Sequence, residues 1–126
     1  MARKRELAPL TEAQLEIMDI VWDRGEATVA AVWSVLGERR EVSRNTVQTL
    51  MTRLADRGWL TSRADGNTFV FRATEPRGSA QRNLLRRLID SAFQGSAEGL
   101  VMALLEDGVS PSEAARIRKL IEEKSP

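Results

Sequence analysis

The sequence predicts a mainly α fold in which three short helices and a β-hairpin are followed by a second group of helices, and three observations predict it. Apolar residues recur at helical spacing in three successive runs, each opened by a hydroxyl residue. The period then changes to that of strands around Asp65-Gly66-Asn67. Beyond residue 75 the helical period returns and continues towards the C-terminus.

Each element has a local cause. Thr11-Glu12-Ala13-Gln14 has the spacing of a capping box, and Leu15, Met18, Val21 and Trp22 follow on one face, so a first helix is predicted from 11 to about 24 with Gly25 as its stop. Thr28 opens a second, lined by Val29, Val32, Trp33 and Leu36, and Gly37 is expected to end it. Ser43 opens a third that carries Val47, Leu50, Met51 and Leu54, closed by Gly58. Residues 60–73 are richer in β-branched and aromatic side chains, with Thr68-Phe69-Val70-Phe71 as the second strand of a hairpin. Three helices and a two-stranded wing make a winged helix-turn-helix over residues 10–75, preceded by a flexible basic arm, residues 1–9, that contains Arg3, Lys4 and Arg5.

Proline and glycine in Thr74-Glu75-Pro76-Arg77-Gly78 mark the boundary of a helical dimerisation region, residues 76–126. Its apolar stripes are Leu84, Leu85, Leu88, Ile89, Ala92 and Phe93, then Ala97, Leu100, Val101, Leu104 and Leu105, broken by Gly95 and Gly108. Ser110-Pro111-Ser112-Glu113 starts a last helix with Ile117, Leu120 and Ile121 on its stripe.

Composition excludes several functions. A chain of 126 residues with 42% hydrophobic content is one domain plus at most a small appendage. It has no cysteine and no histidine, so only carboxylates remain for metal ligation or proton transfer, and neither an enzyme, a metal site nor a cofactor is expected. Asp19, Asp23 and Glu26 show no paired geometry on their solvent-facing positions. No apolar segment follows the basic N-terminus, and none approaches the roughly 18 residues that span a bilayer, so a cytoplasmic protein without membrane insertion is expected. Net charge is only +1, yet Arg39, Arg40, Arg44, Arg53 and Arg57 against Glu41 and Asp56 give a local +3 where a phosphate backbone could be met.

The third helix carries the functional signal. Opposite its core stripe stand Asn45, Gln48, Thr49 and Thr52, flanked by Ser43, Arg44, Thr46 and Arg53. A merely solvated face would be dominated by Lys and Glu, whereas amides and hydroxyls match the donors and acceptors on base edges in a major groove. Arg63 and Arg72 on the hairpin could reach phosphates or a minor groove, although hairpin arginines also serve solubility and Asp65 at the tip repels phosphate. Trp22, Trp33, Trp59, Phe69 and Phe71 are read as packing residues.

The C-terminal helices are too few to close a core of their own, so they pack on a second copy or fold back on the winged domain. A two-fold dimer would present two recognition helices to a palindromic operator in double-stranded DNA. The competing reading is a winged-helix module that binds protein instead of DNA.

Leu10-Thr11-Glu12-Ala13-Gln14, the Val21-Trp22 pair, and Val42-Ser43-Arg44-Asn45-Thr46-Val47-Gln48-Thr49-Leu50-Met51-Thr52-Arg53-Leu54 resemble the BlaI/MecI penicillinase-repressor family, and the likeness runs from Leu10 to about Lys124. The resemblance implies a homodimeric repressor on a palindromic operator, upstream of a β-lactamase gene or of its own operon. It also implies release by a membrane sensor metalloprotease that answers β-lactam by cutting the repressor within residues 100–105. The cut bond of the prototypes joins Asn to Phe, and Ala103-Leu104 stands at that position of regulatory cleavage here. A copper-responsive branch of the family binds metal through cysteine pairs, which this chain lacks.

Overall fold

The computed structural model describes residues 7–124. In chain order they form α1 (Glu12–Arg24), α2 (Val29–Arg39), α3 (Arg44–Asp56), β1 (Leu60–Asp65), β2 (Thr68–Ala73), α4 (Arg77–Ala92), α5 (Ala97–Asp107) and α6 (Pro111–Lys124). They fall into two compact units divided between Arg82 and Asn83, within α4.

In the first unit the caps form as their chemistry requires. Thr11 accepts from the Gln14 amide at 3.2 Å while the Gln14 side chain accepts the Thr11 amide at 3.0 Å, a complete capping box. Thr28 caps α2 through the Ala31 amide, and Ser43 caps α3 through the Thr46 amide. Ile17, Met18 and Val21 of α1, Val32 and Leu36 of α2, and Val47, Met51 and Leu54 of α3 are buried together with Trp59, just before β1, and with Leu60 and Phe71 of the hairpin. Trp59 donates its indole N–H to the Ala8 carbonyl at 2.9 Å.

The hairpin pairs Leu60 with Ala73 through to Asp65 with Thr68, so Gly66 and Asn67 are its two-residue loop. Of the two only Gly66 has positive φ, +64°, the pattern of a II′ turn. Alternation sends Leu60, Ser62, Phe69 and Phe71 to one face and Thr61, Arg63, Val70 and Arg72 to the other. A third short extended piece, missed in the sequence, bridges Ala27 to Phe71 through two backbone hydrogen bonds.

Four expectations need correction. Gly37 does not end α2, which runs on to Arg39, and Arg40 closes it by donating its backbone N–H to Leu36. The break expected at 74–78 falls where β2 gives way to α4, with Pro76 just before the helix and its carbonyl accepting from Ala80, but Gly78 breaks nothing and lies inside α4. The winged unit therefore extends past 75 to Arg82, because Ala80 is fully buried in its core and Arg77 is tied to α1. At the other end residues 7–9 do not behave as an arm, since Leu7 packs on the core and Ala8 accepts from Trp59. Arg3, Lys4 and Arg5 lie outside the described residues.

In the second unit Gln94 and Gly95 take positive φ and end α4, Ser96 caps α5 through the Gly99 amide, and Ser110 caps α6 through the Glu113 amide. Neither α5 nor α6 buries a residue. Among the described residues no helix is long and apolar enough to cross a membrane.

Candidate nucleic-acid interface

The three buried residues of α3 turn its opposite side to solvent, where Arg44, Asn45, Gln48, Thr49, Thr52 and Arg53 are all exposed. Asn45, Gln48, Thr49, Thr52 and Arg53 line one continuous shallow surface. On its flank a groove of about 500 Å³ runs between α3 and the hairpin, with Gln48 and Thr52 on one wall and Asn67, Thr68 and Phe69 on the other. Gln48 and Thr52 thus belong to both surfaces. Among the described residues no ion pair engages Arg44 or Arg53, so both guanidinium groups are open to an anion.

Ser43 and Thr46 stand differently. Their hydroxyl oxygens lie 2.8 Å apart and the Ser43 oxygen also accepts the Thr46 amide, so both hydroxyls serve the helix cap first. The arginines that precede α3 are also occupied. Arg40 reaches Glu16 of α1 at 2.6 Å and Arg39 approaches the same carboxylate at 3.8 Å, which reduces the local positive charge counted along the sequence.

The wing arginines part company. Arg63 and Arg72 share the hairpin face opposite the groove. Arg63 donates through both terminal nitrogens to Glu26, at 2.7 and 3.1 Å, in the turn between α1 and α2. That hydrogen bond and charge hold the Glu26 carboxyl below its ordinary value and raise the Arg63 guanidinium. Arg72 adds to the positive field on Glu26 without pairing it. Nothing in the local sequence around Glu26 announces this partner.

The aromatic residues divide as well. Trp22 and Trp59 pack as expected, each with its indole N–H bonded to a backbone carbonyl. Phe71 is buried, but Phe69 is 57% exposed at the groove wall because its strand has passed the edge of the core. Trp33 is 40% exposed and only its N–H is fixed, to the Val42 carbonyl at 2.9 Å; it borders a cleft of about 850 Å³ at the turn between α2 and α3.

In the second unit Leu85, Leu88, Val101, Leu104, Leu105, Leu120 and Ile121 are exposed in the single chain, while Phe93, Leu100 and Ile117 are half-buried. Ile89 is 3% exposed, so it is already part of the packing of one chain and presents almost no free surface. Ala103 and Leu104 lie inside α5. Among the described residues no group of three acidic side chains is placed to hold a metal ion.

A three-helix core, an exposed polar third helix and an adjoining two-stranded wing define a winged-helix DNA-binding protein. The penicillinase-repressor family model matches residues 10–123, and the chain belongs to that family, a family of transcriptional repressors and not of enzymes. It is similar to the penicillinase repressor of Bacillus licheniformis, at 22% identity over 120 residues that cover 94% of each chain. It is likewise similar to the methicillin resistance regulatory protein MecI of Staphylococcus aureus strain N315, at 22% identity over 116 residues, 91% of this chain and 94% of that one. The solution structure of the DNA-binding domain of the repressor BlaI superposes with a TM-score of 0.53 at 25% identity, over 58% of this chain and 89% of the domain. The chain is thus a DNA-binding transcriptional repressor.

Proposed function

We propose that this repressor acts in the cytoplasm as a homodimer on a palindromic operator, with α3 in the major groove of each half-site. The observation that carries the reading is the outer face of α3, where amide and hydroxyl side chains lie together and unpaired arginines flank them. Asn45 and Gln48 suit adenine, Thr49 and Thr52 suit either base edges or a thymine methyl, and Arg44 and Arg53 take phosphate or guanine. Ser43 and Thr46 contact the backbone near the helix start while keeping the cap, and Arg63 and Arg72 meet phosphates beside the wing.

Dimerisation is supported by the leucine-rich surface of the second unit, where Leu104, Leu105, Leu120 and Ile121 are each about half exposed in a single chain. Pairing doubles the phosphate and base contacts, and occupancy at physiological salt depends on that avidity. Any treatment that separates the DNA-binding unit from the paired helices empties the operator. By resemblance the signal is β-lactam and the agent a membrane sensor metalloprotease; the matching position, Ala103-Leu104, lies within α5, so cutting there requires local unwinding. Genes of β-lactam resistance or related functions are the proposed targets.

A gel-shift titration on DNA from upstream of its own gene, at two salt concentrations with random DNA as competitor, tests the reading. Retarded complexes that survive competitor and weaken steeply with salt are expected. Equal weak binding to every duplex would remove the base-reading role of α3.

A further inference from the structure

We propose that Glu26 is a brake on the wing: it holds Arg63 in a neutral pair and so limits how much DNA affinity the hairpin supplies. The proposal rests on the reading that the wing meets DNA. Its geometry is specific. Both terminal nitrogens of Arg63 face the two oxygens of Glu26, at 2.7 and 3.1 Å, the fork arrangement that a guanidinium offers equally to carboxylate and to phosphate. Carboxylate and phosphate are therefore rivals for one group.

Position makes the rivalry effective. Glu26 precedes Ala27, whose backbone bridges Phe71 on β2, so the backbone that carries the carboxylate is held beside the hairpin. Arg72 lies on the same hairpin face and adds to the field on Glu26, while Asp65 acts on Arg63 from the hairpin tip. Two arginines thus stand against two carboxylates, and the wing presents no net charge although it carries two cations.

The pair is also weak enough to yield. Arg63 and Glu26 side chains are 54% and 47% exposed, so water and salt screen their attraction, and a duplex that brings several phosphates at once can draw Arg63 away. While the pair persists Arg63 neutralises no phosphate, which withholds one counterion's worth of binding. Contacts of this kind are to the backbone and carry no sequence information. Glu26 therefore lowers affinity for operator and unrelated DNA alike, and leaves discrimination to α3.

The test compares the full chain with Glu26→Gln, Arg63→Gln and the double variant on its upstream duplex and on an unrelated duplex, by fluorescence anisotropy across a salt series. Glu26→Gln is expected to tighten binding to both duplexes by roughly three- to ten-fold at low salt and to steepen the dependence of log affinity on log salt by about 0.9. In the Arg63→Gln background the same change is expected to give no more than a small gain. Unchanged or weaker binding by Glu26→Gln, with a circular dichroism melt like that of wild type, would overturn the brake. So would a gain that persists in full without Arg63. Failure of wild type to bind any duplex would instead remove the underlying reading, and the brake with it.

Discussion

Trp22 donates its indole N–H to the carbonyl of Glu75 across 2.9 Å, tying the last turn of α1 to the chain just before α4. Arg77 completes the tie from the other side. It bonds the Asp23 carboxylate at 2.6 Å and the Asp19 carbonyl at 2.8 Å, and its guanidinium lies over the Trp22 ring, 5.6 Å from the centroid. This junction anchors the first turn of α4 to α1 within the winged unit. Trp22→Phe keeps an aromatic face but deletes the donor and part of the ring, so it should cost about 1 kcal/mol or more in urea denaturation. Arg77→Ala should lower the midpoint in the same direction, and unchanged midpoints in both would show that the junction carries no stability.

The core predicts a larger effect. Met51 is fully buried in the core shared by α1, α2 and the hairpin, on the helix whose other face is proposed to meet DNA. Met51→Ala removes buried methylene and sulfur contacts and should destabilise the winged unit by roughly 2–5 kcal/mol, measured by thermal or denaturant unfolding. DNA affinity at low temperature should fall far less than stability does, because no interface group is touched.

Dimerisation is best probed where one chain leaves a side chain free. Leu104 is 47% exposed, so Leu104→Asp should not damage a single chain, yet a carboxylate without a partner is costly in an apolar interface. Sedimentation equilibrium should return monomers, and operator binding should lose its avidity. A dimer of undiminished affinity would place the interface away from α5. Ile89 is a poor choice for this purpose, since its burial within the chain would confound folding with pairing.

The Glu26–Arg63 pair also carries a pH dependence. Arg63 holds the Glu26 carboxyl below its ordinary 4.5, so the pair's contribution to stability is complete above that pH and is lost as pH falls through the lowered value in the folded chain. The raised Arg63 guanidinium keeps its contribution throughout the lower range and would lose it only in strong alkali, outside any useful range. Melting temperature against pH should therefore show a shallower acid decline in Glu26→Gln than in wild type; superimposable curves would show that the pair adds nothing.

Much of this architecture was legible because its signals are local. Thr11 with Gln14, Ser43 with its helix, and Gly66-Asn67 with its turn each involve neighbours along the chain, and the stripe of Val47, Met51 and Leu54 fixed which side of α3 faces outward. What escaped was long-range pairing. Glu16 pairs with Arg40 and lies near Arg39, Glu26 takes Arg63, and Ala27 bridges Phe71, none of which leaves a spacing pattern. Gly37 and Gly78 misled for a related reason: a glycine ends a helix only where the chain must take positive φ, and the folded core supports helix through both positions.

The outer face of α3 is proposed to read bases. Fluorescence anisotropy of Gln48→Ala and Thr49→Ala on the upstream duplex and on a scrambled duplex is the decisive measurement. Each variant is expected to lose roughly 1–3 kcal/mol on the matched duplex and little on the scrambled one. Equal losses on both, or none on either, would contradict it.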